Sequence, residues 1–221
     1  MSKPSFFKSS IGRKVAMSLS AIFLMIFLLQ HLAINITAAW SPELFNELSH
    51  FMGYNPLVQY IAQPILVFAV VFHFVTGIIL ERKNHAARPI KYAKYNGAAN
   101  SSWFSRHMGP TGLVILVFLG LHLYDFFFPE INSKYIAMDP ADPNRYYPHL
   151  VAKFQDPIRV AIYALGFVSL SLHLMHGFGS AFQSLGQNNK YIDALKKFGK
   201  AYAILVPLGF IVLGLILHFK G

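Results

Sequence analysis

Five long stretches of the chain are almost wholly apolar: residues 15–38, 57–80, 109–128, 158–182 and 201–219. Polar and charged residues gather between them. About 20 apolar residues make a helix long enough to cross the ~30 Å hydrocarbon layer of a bilayer. A membrane-barrel strand needs only about 10, with polar residues at alternate positions. The pattern therefore predicts an all-α membrane protein: five transmembrane helices bundled into one domain over residues 1–221. The first stretch is longer than the roughly 7–15 residues of a signal-peptide core, and no clear small-residue cleavage site follows it. It is expected to be retained as a helix.

Composition agrees. Of 221 residues, 55% are hydrophobic and 13% charged, against roughly a quarter charged in a soluble domain. The mean hydropathy is +0.45. There is no cysteine, which excludes covalent c-type haem, thiolate-held iron–sulfur clusters and disulfides within this chain. The net charge of +10 suggests a polyanion partner until its distribution is considered. Lys3, Lys8, Arg13 and Lys14 precede the first span. Arg82, Lys83, Arg88, Lys91, Lys94 and Arg106 lie between the second and third, and Lys190, Lys196, Lys197 and Lys200 between the fourth and fifth. In a five-span topology all of these share one side. Lys134, Arg145, Lys153, Arg159 and Lys220 share the other, with most of the acids. The positive-inside rule predicts a cytoplasmic N-terminus and an external C-terminus. The charge sets topology and calls for no nucleic acid.

Histidines carry the candidate chemistry. Four of the five spans hold one deep inside: His31, His73, His122 and, in the fourth, both His173 and His176. Ionisable residues within a bilayer are costly and mark function. At about 1.5 Å per residue, His31 and His122 fall in the outer half of the bilayer, and His73 and His173 in the inner half. Two imidazoles from different helices at each of two depths suit bis-histidine ligation of two haems. The local pattern also repeats. Nine residues separate Ser20-Ala21 from His31-Leu32, as nine separate Thr111-Gly112 from His122-Leu123; the second span reads HFVTG and the fourth HLMHG. Gly77 and Gly177 stand four residues after His73 and His173, on the same helix face, and leave room for a flat macrocycle. His176 has Ser180 at that offset, so His173 is the expected ligand and His176 a neighbour.

Zinc would want three or four ligands converging on one ion, and these histidines divide into pairs. A carrier of protons or ions would want intramembrane acids; Asp125 is the only acid well inside a span, near its outer end. Two haems b, bound without covalent attachment, fit better. The predicted levels are roughly 10–15 Å apart by helix rise, a separation suited to electron transfer across the bilayer. With no flavin or nicotinamide fingerprint present, electrons must come from a docked redox subunit and leave on a lipid-soluble carrier. A haemless, histidine-lined metal or proton transporter is the alternative from another class.

The five spans, the four histidines, HxxxG on the second and fourth spans, the opening SSIGRK and the block SLHLMHGFGSAFQSLG resemble the di-haem cytochrome b membrane-anchor polypeptide of succinate dehydrogenases and fumarate reductases, the succinate:quinone oxidoreductases. The resemblance implies His73 and His173 as ligands of a proximal haem, and His31 and His122 of a distal one. It implies a flavoprotein and an iron–sulfur protein docked on the cytoplasmic side of a bacterial inner membrane. Electrons would pass from succinate, in the tricarboxylic acid cycle, to a quinone, with menaquinone expected. Some fumarate-reducing members carry a glutamate two residues before the fourth-span ligand; Ser171 stands there here, which favours succinate oxidation. A cytochrome b subunit of another dehydrogenase, such as a hydrogenase or formate dehydrogenase, is the nearer alternative.

Haem propionates need donors or cations at the membrane surface. Arg13, Ser18, Arg82, Trp103 and Arg106 are candidates for the proximal haem. Quinone chemistry needs polar groups and a proton source. Glu47, His50, Gln59 and Gln63 cluster before and within the outer half of the second span.

Overall fold

A computed structural model of the chain describes residues 9–86, 102–187 and 191–220. Lys3, Lys8, Arg88, Lys91, Lys94 and Lys190, counted above in the charge asymmetry, lie outside the described residues. The described residues are helical throughout their ordered elements: α1 (Ser10–Asn35), α2 (Pro42–Tyr54), α3 (Gln63–Ala86), α4 (Met108–His122), α5 (Tyr146–Phe154), α6 (Pro157–Ser184) and α7 (Ile192–Lys220). Five stretches are long and apolar enough to span a membrane: Ile11–Ala39, Val58–Asn84, Met108–Ile136, Pro157–Ser184 and Ile192–Lys220.

All five expected spans are present, and each runs past its apolar stretch. A helix continues beyond the hydrocarbon wherever its polar turns can still be capped. Thus the fifth begins at Ile192 rather than 201, winding the basic Lys196–Lys200 turn into α7. The third continues beyond α4 through π-turns at Leu123–Phe127 and Asn132–Ile136. Starts are set by local chemistry. Ser9 accepts from Gly12 N at 2.9 Å to open α1, Ser41 caps α2 with Pro42 behind it, and Asp156 caps α6 ahead of Pro157. These are N-cap residues with proline at its favoured first position. The end of α6 is fixed by Gly186, at φ +81°. Gly186 N bonds Gln183 O and Gln187 N bonds Phe182 O, a Schellman closure that a left-handed glycine permits.

Packing separates the fifth span from the rest. Nearly half of its apolar window is buried (44%), against 11% in each of the first three. Close approach comes from small residues, as lipid-embedded helices require. The faces of Gly199 and Gly166 lie directly against the rings of Phe178 and Phe118, and Phe167 stacks on Phe210 at 5.0 Å. Large side chains such as Phe68 and Val117 point outward and are exposed, as the lipid-facing side of a bundle would be. With α7 backed onto α6, an interior space is left that is lined chiefly by the first four spans and closed in part by α7. At one end that space is bordered by the amphipathic α2 and α5, which are pinned together by Tyr147 N on Asn46 Oδ1 at 2.8 Å.

Candidate functional site

The interior space is a cavity of about 1760 Å3, lined by residues of all five spans. Ordinary ligand pockets are roughly 300–1,000 Å3, so this one has room for more than one large group. Its wall is largely apolar, with Leu and Phe the commonest residues, and into it project His31, His73, His122, His173 and His176.

Four of these meet in two pairs. His31 of α1 and His122 at the end of α4 have ring centroids 5.8 Å apart. His73 of α3 and His173 of α6 have theirs 6.4 Å apart. Two imidazoles sharing one metal at about 2 Å from each nitrogen would have centroids roughly 6 Å apart. The residues present therefore fit a metal held between two rings, at two separate places.

For the His73–His173 pair the protonation is set by neighbours. His73 Nδ1 lies 3.2 Å from Ser20 Oγ, and His173 Nδ1 lies 3.3 Å from Thr111 Oγ1. Each hydroxyl has one hydrogen and donates it to a backbone carbonyl: Ser20 to Met17 O at 2.8 Å, Thr111 to His107 O at 2.7 Å. The hydroxyl oxygens can then only accept, so each Nδ1 carries the proton. The lone pair stays on Nε2, the form that binds a metal. Ser20 and Thr111 are the residues that head the two copies of the short repeat. The repeat pattern was visible in the sequence; its use, across helices to the opposite histidine, was not.

The glycines follow the same two-fold logic. Gly77 and Gly177 both line the cavity. A Cβ at Gly77 would reach only Met17 Cε at 3.5 Å, and one at Gly177 only Met108 Cε at 3.8 Å. The protein itself has space for a side chain at both, so the bare backbone beside each imidazole leaves a flat cradle open to a bound group. His31 and His122 sit instead among rings: Phe27 and Phe210 about His31, Phe118, Phe126 and Tyr163 about His122.

The remaining candidates divide. Ser18, Arg82, Gln59 and Gln63 line the cavity, Ser18 and Arg82 at the end where α1 begins. Gln59 is already engaged, donating to Met52 O at 2.7 Å. Arg13, Trp103, Arg106, Glu47 and His50 are outside the lining. Trp103 stacks on His107 at 4.0 Å, Glu47 is exposed, and His50 stacks on Tyr54 at 4.5 Å. Lys14, Ser105 and Ser184 line the α1 end as well.

At the opposite end is a group that sequence reasoning missed. Glu130, Lys134, Arg145 and Tyr146 line the cavity there. Glu130 is paired with Lys134 at 2.5 Å and with Arg145 at 2.6 Å. Lys134 also donates to Gly53 O, and its side chain is only 8% exposed. Arg145 Nη1 donates to Ser133 Oγ at 2.7 Å, while its buried Nε has no hydrogen-bond partner among the described residues. Burial, with the Glu130 charge beside it, pushes the Tyr146 phenol up to about 12, so it remains a neutral donor. The cluster carries a surplus positive charge and unspent donors. Its members come from the end of the third span and the start of α5, brought together by the turn of the intervening loop, and no local spacing announced it.

No family model matches the chain, and no solved structure does. A curated protein does: the succinate dehydrogenase cytochrome b558 subunit of Bacillus subtilis (strain 168) is 26% identical over 170 residues, 76% of this chain and 76% of the relative. This relative bears out the resemblance read from the motifs, to the cytochrome b membrane-anchor subunit of the succinate:quinone oxidoreductases.

Proposed function

We propose that the chain anchors a succinate:quinone oxidoreductase in a bacterial inner membrane and conducts its electrons to a quinone through two b haems. The observation that carries this is the pairing of four intramembrane histidines into two facing couples on one cavity. When bound, each haem supplies a one-electron couple that the protein's own side chains lack. His73 and His173 hold one iron, through Nε2 atoms made available by Ser20 and Thr111. His31 and His122 hold the other, among the aromatic rings of Phe27 and Phe126. Gly77 and Gly177 leave the macrocycle its seat.

The basic residues on the side of Lys14 and Arg82 face the cytoplasm under the positive-inside rule. That places the His73–His173 pair nearest a docked iron–sulfur subunit with its flavoprotein, and the His31–His122 pair nearest the outer surface. Lys14, Ser18 and Arg82 offer cations and hydroxyls to propionates on the cytoplasmic side. On the outer side, Lys134, Arg145 and Tyr146 offer donors to acceptor oxygens, with Gln59 and Gln63 close by on the cavity wall. A quinone taking electrons there, menaquinone in our reading, needs protons, and the neutral Tyr146 hydroxyl is a donor at hand.

Reduction by substrate tests the assembly. Succinate added to the complex isolated from membranes should reduce the b-type absorbance, and an added quinone should reoxidise it. A complex whose b absorbance responds to dithionite but never to succinate would assign the chain to another dehydrogenase.

A further inference from the structure

Asp125 is completely buried (0% exposed) and has no part in the function proposed above. A carboxylate withdrawn from water is costly unless several partners converge on it. Three do. Tyr163 Oη donates to Oδ2 at 2.9 Å, Arg159 Nη1 stands 3.4 Å from the same oxygen, and Lys153 Nζ stands 3.8 Å from Oδ1. The two cations come from α5 and the start of α6, and their side chains keep 30% and 25% of their exposure. Solvent therefore tempers the cations, whereas the anion is enclosed.

The position of this anion relates it to one histidine pair and not the other. Asp125 lies in the π-turn Leu123–Phe127 that follows His122 without a break, and such turns gather at functional sites. Tyr163 bridges the two: its hydroxyl is on Asp125 and its ring edge meets the His122 ring at 6.2 Å. Phe126, from the same turn, packs on His122 at 5.3 Å and on Tyr163 at 6.4 Å. The His73–His173 pair has neutral hydroxyls for its neighbours. In a low-dielectric interior an enclosed charge acts over a longer range than one in water.

We infer that Asp125 is a positioning residue whose buried negative charge lowers the reduction potential of the group held by His31 and His122, with Arg159 acting in the opposite sense. The inference rests on the two-haem reading. Asp125 neither ligates nor touches the cavity; it acts through the field at His122 and through Tyr163. Two haems in one chain are then made unequal by a charge placed beside only one of them.

The test is a redox titration of the purified complex, wild type against Asp125→Asn and Arg159→Gln. His173→Ala, which should keep only the outer haem, identifies that haem's titration. Removing the anion should make the outer haem easier to reduce by about tenfold, ~59 mV for one electron. Arg159→Gln should shift the same haem the other way, and the second haem should stay in place in both. Equal potentials in wild type and Asp125→Asn, with both haems bound, would overturn the inference while leaving the haem assignment intact. Were Asp125→Asn to lose its outer haem, Arg159→Gln decides: a downward shift supports the charge effect, and none refutes it. A wild-type chain with no haem would instead remove the function on which the inference stands.

Discussion

Replacing Thr111 by valine removes one hydroxyl and keeps the shape. Thr111 is on the third span, eleven residues before His122, yet its Oγ1 contacts His173 of the fourth span at 3.3 Å. In the variant, the Nδ1 proton of His173 loses its acceptor. Thr111 is only 9% exposed, so water does not readily replace it. A buried donor left unsatisfied costs about 1–3 kcal/mol, and loss of a partner to a metal-ligating histidine typically lowers affinity roughly tenfold to a hundredfold. The backbone carbonyl of His107 loses only a second donor, since it also accepts from Thr111 N, so the helix should hold. The expected outcome is selective: the haem between His73 and His173 is depleted or shifted in its spectrum, and the one at His122 is retained although it shares a helix with the mutation. Ser20→Ala should reproduce the effect through His73. The assay is extracted haem per polypeptide, with reduced-minus-oxidised spectra of the two components. Full occupancy and unchanged spectra for the His73–His173 haem in both variants would refute the tautomer argument.

Other outcomes follow from the same geometry. His173→Ala should remove one haem and spare the other, while His176→Ala should retain both; loss with His176 alone would reassign the fourth-span ligand. Gly177→Leu should still fold, because the nearest atom to a new Cβ is Met108 Cε at 3.8 Å, yet it should lower haem content by filling the cradle. Gly199→Ala should do the reverse. Its Cβ would overlap the ring of Phe178, and overpacking of about 1–3 kcal/mol should lower the melting temperature of the detergent-solubilised chain without choosing between haems.

The sequence was legible where one dimension was enough. The five spans could be read because lipid demands long apolar runs. The pairing of His31 with His122, and of His73 with His173, could be read because depth in a membrane is nearly proportional to position along a helix. What escaped depended on rotation about helix axes and on distant segments. Ser20 and Thr111 stood in the repeat, but that each serves a histidine on a neighbouring helix is a matter of azimuth. The Glu130–Lys134–Arg145–Tyr146 cluster unites the end of the third span with the start of α5, and its members looked like ordinary polar loop residues. Asp125 was visible as the one acid well inside a span, yet its burial depended on Tyr163, 38 positions away. Trp103, Arg13 and Arg106 illustrate the converse. Nearness to the right membrane face made them candidates for propionates, and none of them lines the cavity.

The central claim is that two haems b sit between two histidine pairs, and one determination tests it most directly. The chain or its complex, purified from haem-replete cells, is reduced with dithionite and its difference spectrum recorded, and the extracted haem is counted against polypeptide. Two b-type haems per chain is the predicted result. A count of one would make one histidine pair structural, and a colourless folded protein would contradict the account and turn attention to a histidine-lined transporter.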